Sequence, residues 1–261
     1  MASARQLLSL ILLISTLLTF FFTSPSHSSS DVFSGVSVSS VDPNRVTLSV
    51  YYETLCPYCS NFIVRDLLKI FENGLISIVN LRMIPWGNAV LRPDKTFQCQ
   101  HGPAECVLNT VEACVINIYP RVDMHFRFIY CVEYLALEGK QAEWASCFDR
   151  SQLGKVPIDC YTSGYGNQLE LKYGEETALL NPPHTGVPWV VVNDQPLKED
   201  YNNFVAYVCR AYRGGNVPEA CRPFQLSINS TVEENPINPL CYVNEAKNFT
   251  TSSPGKKITN L

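Results

Sequence analysis

The sequence is poor in charge and has no excess of basic residues: Asp, Glu, Lys and Arg make up 17% of 261 residues, with 20 Lys plus Arg against 24 Asp plus Glu. Phosphate backbones and anionic membranes are bound through clustered Lys and Arg, so a net charge of −4 argues against nucleic acid as a partner. Internal repeats are absent, as are HExxH and GxSxG motifs, and Gly164-Tyr165-Gly166 lacks the third glycine of a dinucleotide fingerprint. Disorder is excluded by an apolar content of 46%, which is ample for a buried core.

Long hydrophobic runs are missing except for Leu7 to Phe22, 16 residues against the roughly 20 needed for a bilayer span. With Arg5 before it and small residues at Ser26 and Ser28 after it, the run reads as a secretory signal over residues 1–28, cut between Ser24 and Ser30. Its loss removes one positive charge, taking −4 to −5, and leaves all 11 cysteines in place. The mature product is therefore expected in a lumen or outside the cell, with no membrane partner. A Ser-rich lead-in over 29–45 follows. The tail over 222–261 is rich in Asn, Ser, Thr and Pro and carries both glycosylation acceptors, Asn229 and Asn248.

What is abundant is cysteine, and two of the eleven stand three apart. Val46 to Tyr52 is β-branched and aromatic and predicts a strand. Cys56-Pro57-Tyr58-Cys59 comes next, then SNFIVRDLLKIFENG with helical spacing and an Asn73-Gly74 stop, then a second apolar strand, Leu75 to Pro85. Strand, helix, strand predicts a βαβ unit with parallel strands. Between about 86 and 180 the composition changes to a cysteine-rich, helical insertion, with helices suggested over Glu105 to Tyr119 and Phe126 to Glu138. Beyond it, Val187 to Asn193 predicts a strand, Asn193-Asp194 a turn into Pro196-Leu197, and Asp200 to Arg213 an amphipathic helix. The thiol domain spans 46–221.

A Cys-x-x-Cys pair at a helix start can close a disulfide, and the free N–H groups of the first turn stabilise a sulfur anion. Cys56 is the expected attacking thiol, Cys59, one turn inward, the resolving one, and Pro57 sits where a missing N–H is harmless. At pH about 5 a thiol with an unperturbed pKa of about 8.5 is ionised in roughly one molecule in three thousand. Lowering that pKa by three units takes about 4 kcal/mol, while a helix terminus supplies at most about 2, so other donors must contribute. The competing readings are two structural disulfides, or half of a zinc site. The zinc reading needs Cys99, His101 and Cys106, which lack a second Cys-x-x-Cys spacing, and no metal or cofactor is expected. Gly186 and Val187-Pro188 before an apolar strand suit a turn with Pro188 cis and the Val187 backbone open to a substrate peptide, although such a proline alone also marks a plain strand boundary. His101 is read as fixing its loop rather than as a catalytic base, His184 as a loop histidine near the redox centre, and His125 has no motif around it.

Setting Cys56 and Cys59 aside leaves nine cysteines of the eleven, an odd number. Cys209 with Cys221 and Cys147 with Cys160 would each close a short loop, and Cys99, Cys106, Cys114 and Cys131 would supply two further bridges. Cys241 is then the spare, left free or joining two chains in a covalent homodimer.

The segment CQHGPAECVLNTVEAC contains Cys99-Gln100-His101-Gly102, Glu105-Cys106, Asn109 and Cys114, and with Pro182-Pro183-His184 and Val187-Pro188-Trp189 it resembles the gamma-interferon-inducible lysosomal thiol reductase family from about Val46 to Cys221. The resemblance implies an α/β, thioredoxin-like fold with a helical, disulfide-rich insertion. It implies an enzyme reducing protein disulfides in acidic compartments, with Cys56 and Cys59 as the redox pair and Pro188 as the cis proline; the sequence does not say whether the electron donor is a small thiol or a reductase. The Pro57-Tyr58 spacer is one familiar from glutaredoxins, which leaves the balance between reduction and oxidation open. The rival readings are a disulfide oxidase or isomerase of the secretory pathway and a non-enzymatic, disulfide-stapled binding protein. Lysosome, vacuole and extracellular space all remain compatible.

Overall fold

Val46–Tyr52 forms strand β1 as its pattern predicts, and all but one of its seven residues are buried. The computed structural model describes residues 44–225 and 238–243; the signal segment, nearly all of the lead-in and both glycosylation acceptors lie outside them. After Leu55, whose φ of 68° turns the chain out of the strand, comes helix α1 (Pro57–Asn61). A π-helical stretch, Phe62–Leu67, and helix α2 (Lys69–Glu72) continue it, so the expected single helix is broken into three segments. Gly74, at φ 77°, ends the run. The predicted second strand starts later than its apolar pattern suggests: Leu75–Ile78 is a 3-10 turn and strand β2 is Val79–Pro85. Apolar content marks both as buried but does not separate a tight turn from a strand.

β2 pairs parallel to β1 over its whole length, from Val46 opposite Val79 to Tyr52 opposite Pro85, which is the predicted βαβ unit. Two short strands, β3 (Val90–Leu91) and β4 (Phe97–Gln98), form a small hairpin. The insertion then contributes helices α3 (Pro103–Ile118), α4 (Val122–Leu137), α5 (Ser146–Arg150), α6 (Val156–Thr162) and α7 (Tyr165–Ala178). The expected strand over Val187 to Asn193 is divided at Pro188, which follows a cis peptide bond, into β5 (Gly186–Val187) and β6 (Trp189–Val192). Asn193 and Asp194, both at positive φ, turn the chain into β7 (Gln195–Pro196), and Asn193 Oδ1 accepts a 2.8 Å bond from the Thr47 N–H. The predicted terminal helix begins as a 3-10 turn, Lys198–Asn203, and becomes helix α8 at Phe204–Ala211. A short helix, α9 (Arg222–Gln225), precedes strand β8 (Cys241–Tyr242).

The main sheet has the order β2-β1-β6-β7, with β6 antiparallel to β1. Its core joins Leu48, Val50, Phe62, Ile63, Trp189, Phe204 and Val208, and Phe62 meets Tyr201 and Phe204 edge to face at 5.4 and 5.5 Å. A second cluster, including Leu108, Phe128 and Phe148, holds the insertion together. This is a thioredoxin-like arrangement with a helical insertion.

The cysteine pairing departs from expectation in two places. Cys209–Cys221 forms as read, but Cys147 pairs with Cys131 rather than with Cys160, and Cys160 pairs with Cys114. Short sequence loops favoured Cys147–Cys160, whereas helix packing sets α6 against α3 and α5 against α4. Cys99–Cys106 closes the loop before α3. The second departure is Cys241, which is not spare and not free: it is bonded to Cys56.

Candidate active site

Cys56 is the N-cap residue of α1, in extended conformation, with Pro57 at the first helical position. Its Sγ receives the Cys59 N–H at 3.5 Å and lies 3.8 Å from the Val187 carbonyl oxygen, so the two halves of the thiol domain meet at this sulfur. Cys56 is disulfide-bonded to Cys241 across 185 residues of sequence. Cys59 is the free cysteine among the described residues, and both members of the pair are fully buried. The sequence reading placed the cysteines correctly on the helix, but the expected mutual bond is replaced by one to the tail.

β8 lies antiparallel to β5, with Gly186 opposite Tyr242 and Val187 opposite Cys241. Val187 thus pairs in strand fashion just ahead of cis Pro188, and its partner is the chain's own tail. The ladder continues with Val243 N–H to Thr185 O at 3.1 Å. Asn88 donates from Nδ2 to Cys241 O at 2.8 Å, Gln100 from Nε2 to Tyr242 O at 3.2 Å, and Tyr201 from its hydroxyl to Pro239 O at 2.8 Å.

The signature segment shapes the approach to Cys56. Thr54, two residues before it, donates from N–H and hydroxyl to Asn109 Oδ1 at 2.9 and 3.0 Å, and its hydroxyl also lies 3.2 Å from Glu105 O. These bonds tie the segment just before Leu55, at its positive φ, to α3. Glu105, buried at the start of α3, accepts the N–H groups of Gln100 and His101 at 3.0 Å each. His101 Nδ1 bonds the same carboxylate at 2.5 Å, which is the loop-fixing role read from sequence, while its Nε2 lies 3.8 Å from Cys241 Sγ. Cys99, Cys106, His101 and Glu105 therefore build a wall. His184 is held by burial below the usual histidine range, and His125 likewise, its Nδ1 facing Tyr119 O at 2.8 Å.

Two residues that sequence reasoning missed complete the site. Glu53 is fully buried, with a carboxylate oxygen within 4.8 Å of both Cys56 and Cys241 Sγ. It accepts the Asn88 N–H at 2.8 Å. Asn88 in turn gives its side-chain amide to Gln100 and Cys241, linking carboxyl, signature and tail. Gly87, at φ 59°, lies so close to Glu53 that a Cβ there would strike the carboxylate. A carboxyl three residues before the first cysteine and a Trp-Gly-Asn turn at the end of β2 were the available signals.

Burial governs the electrostatics. Desolvation pushes the Cys59 thiol well up, and the Glu53 charge adds to it, while a hydrogen bond from the Glu53 main chain opposes. Glu53 itself is pushed up by burial and by the nearby Glu105 carboxylate. Glu112, Glu133 and Glu170 are also pushed up, burial first, with Glu133 at about 8. Ser60, beside Cys59, donates its hydroxyl to Glu133, and Tyr52 donates to Glu112 at 2.6 Å. Glu53, His101 and Glu105 bring potential ligand atoms within 4.8 Å of one another, but their donors are already used among themselves and by backbone N–H groups.

Comparison with known proteins agrees with this architecture. The family model described as gamma interferon inducible lysosomal thiol reductase matches residues 47–151. The chain is similar to a gamma-interferon-responsive lysosomal thiol protein of Arabidopsis thaliana, 38% identical over 209 residues, covering 78% of this chain and 87% of the relative. It is similar also to the gamma-interferon-inducible lysosomal thiol reductase of Mus musculus, 36% identical over 180 residues, covering 67% and 71%. Among solved structures, reduced DsbA of Mycobacterium tuberculosis superposes with a TM-score of 0.51 at 19% identity, over 76% of this chain and 95% of that one, a likeness of fold. The oxidised form of that protein gives 0.50 at 20% identity, over 71% and 91%. With the Cys-x-x-Cys helix, the signature wall and these relatives together, the chain belongs to the gamma-interferon-inducible lysosomal thiol reductase family.

Proposed function

We propose that this thiol–disulfide oxidoreductase works as a reductase of protein disulfides, with Cys56 as the attacking thiolate and Cys59 as the resolving thiol. The observation that carries the reading is the state of Cys56: at a helix N-terminus, beside Val187, it already forms a disulfide with a cysteine held in a strand, while Cys59 waits unbonded one turn inward. In the forward reaction the Cys56 thiolate attacks a substrate sulfur, a Cys56–substrate disulfide forms, and the substrate's other sulfur leaves as a thiolate. Cys59 then attacks Cys56, closing Cys56–Cys59 and releasing the second substrate thiol. A thiol reductant restores the dithiol.

The pair is asymmetric for a physical reason. Cys56 lies where backbone N–H groups of the first helical turn stabilise an anion, whereas Cys59 is held neutral by burial. Attack therefore starts at Cys56. The acidic setting is supported by the relatives, whose names describe them as lysosomal.

The test is disulfide reduction from pH about 4 to 8 by wild type, Cys56→Ser and Cys59→Ser, with trapping of mixed disulfides. Cys56→Ser should abolish turnover, and Cys59→Ser should accumulate covalent substrate complexes. Unchanged turnover in Cys56→Ser would leave only a stapled binding protein. A measured reduction potential separates a reductase from an oxidase or isomerase built on the same pair.

A further inference from the structure

The tail segment Leu240–Tyr242 is held as a substrate would be held. It adds a strand to β5, aligns Cys241 with Val187, and bonds Cys241 to the proposed attacking sulfur. Side chains outside the tail grip its backbone: Asn88 takes the Cys241 carbonyl, Gln100 the Tyr242 carbonyl and Tyr201 the Pro239 carbonyl. Backbone recognition of this kind reads an extended strand irrespective of its sequence, while the flanking pockets set side-chain preference.

The pockets are distinct. Leu240 is 2% exposed and joins the main core, whereas Tyr242 is 39% exposed. Gly186 permits the approach: a Cβ there would come within 2.7 Å of Cys241 O and 3.0 Å of Leu240 Cβ. Cys56 exposes no surface in this arrangement, so a foreign disulfide reaches it only after the tail has moved aside.

From this geometry we propose that Leu240–Tyr242 is a tethered substrate and Cys241 a third redox cysteine, and that the groove formed by Gly186–Val187, Asn88 and Gln100 takes extended, cysteine-bearing peptides with an apolar residue immediately before the cysteine. The proposal rests on the redox reading of Cys56. The exchange is balanced without any outside reagent: Cys59, as a thiolate, attacks Cys56 Sγ, the Cys56–Cys59 bond forms, and the Cys56–Cys241 bond breaks. The electron pair leaves on Cys241 Sγ, which takes up the proton that Cys59 gave up, so one disulfide replaces another with no net oxidation. After reduction by a small dithiol the tail still competes for the groove without a covalent bond, because its tether gives it an effective concentration on the order of millimolar.

The experiment has three arms on the full-length protein. Peptide mapping without reduction should find Cys56–Cys241 in Cys59→Ser, within one chain. Leu240→Asp, which removes the apolar anchor, should lower the KM for a cysteine-bearing peptide disulfide by about tenfold or more if the tail competes at millimolar effective concentration, whereas Cys241→Ser, which keeps Leu240 and the backbone grip, should change it little. In Cys59→Ser with Cys241→Ser, a peptide whose Leu-Cys-Tyr cysteine is already in a disulfide with a small thiol should form the mixed disulfide with Cys56, the small thiol leaving as thiolate, at least about tenfold faster than the same disulfide of an Asp-Cys-Tyr peptide, the change expected from losing one buried leucine contact. Finding Cys241 bonded between two chains, an unchanged KM in Leu240→Asp, or equal rates for the two peptides would each overturn the proposal. Loss of turnover in Cys56→Ser beside such a result would leave the reductase reading standing, whereas retained turnover in Cys56→Ser would remove both.

Discussion

Glu133 lies fully buried on α4 and accepts the Ser60 hydroxyl, next to the free Cys59, and burial holds its carboxyl at about 8 against an ordinary value of 4.5. Below 4.5 it is protonated in both folded and unfolded chains and contributes nothing to pH dependence. Between 4.5 and about 8 the unfolded chain ionises while the folded chain keeps its proton, so stability falls as pH rises. Above about 8 both are ionised and the loss is complete. One proton gives a slope of about 1.4 kcal/mol per pH unit, and the whole interval on the order of 5 kcal/mol. Glu53, Glu112 and Glu170 act in the same direction, whereas His125 and His184, held neutral by burial, lose stability as pH falls below 6.5. Glu133→Gln keeps the shape and an acceptor for Ser60 while removing the proton, and it relieves the Coulombic push on Glu112. Denaturant unfolding with disulfides intact, at pH 5, 6, 7 and 8, should show wild-type stability declining with pH and the variant declining less steeply, by about 1 kcal/mol per unit or more. Equal slopes for the two proteins, or wild-type stability that rises with pH over this range, would refute the assignment.

Replacing Cys114 and Cys160 together by Ala opens a bridge spanning 46 residues of sequence and should cost about 4 kcal/mol from loop-closure entropy, read as a lower denaturation midpoint; a loss under about 1 kcal/mol would contradict the pairing. Asn109→Ala strips the Thr54 N–H of its acceptor in a fully buried place, with an expected cost of about 1–3 kcal/mol and slower reaction of Cys56 with a disulfide probe, and normal values for both would show the signature to be dispensable for shaping this turn. Tyr52→Phe removes the hydroxyl donated to the buried Glu112 and should destabilise by a similar amount, read as a lower denaturation midpoint; an unchanged midpoint would contradict the pairing.

Legibility in the sequence followed the range of the interaction. β1, the parallel pairing with β2, the helix behind Cys56 and the two long helices of the insertion were readable because period and turn residues are local signals. The 3-10 turn at Leu75–Ile78 and the π-helical stretch at Phe62–Leu67 were not, since both are as apolar as the strand and helix they interrupt. Cysteine pairing was legible at Cys209–Cys221 but not at Cys147 or Cys241, for a different reason. Loop length favours near partners, but Cys131 and Cys147 meet because α5 packs on α4, and Cys56 meets Cys241 because β8 adds to β5. Glu53 and Asn88 were invisible as site residues because their importance comes from the convergence of three distant segments on one sulfur.

That convergence also bears on how thiolate chemistry could run in acid. The Cys59 thiol is pushed up first by desolvation and then by the charge of Glu53, so an ionised Glu53 and a Cys59 thiolate are mutually expensive in the same dry space. Lowering pH reduces the free thiolate fraction, yet it also neutralises Glu53 and its neighbours, and each carboxyl that gains a proton removes a repulsive charge from beside the sulfurs. The two effects oppose each other within one site. Cys56 stands in the same balance: the Cys59 N–H reaches its sulfur at 3.5 Å, while a Glu53 carboxylate oxygen lies within 4.8 Å of it. Under the proposed mechanism, attack at Cys56 and resolution by Cys59 would both feel the carboxyl cluster, because Glu53 lies beside Cys56 and its charge reaches Cys59.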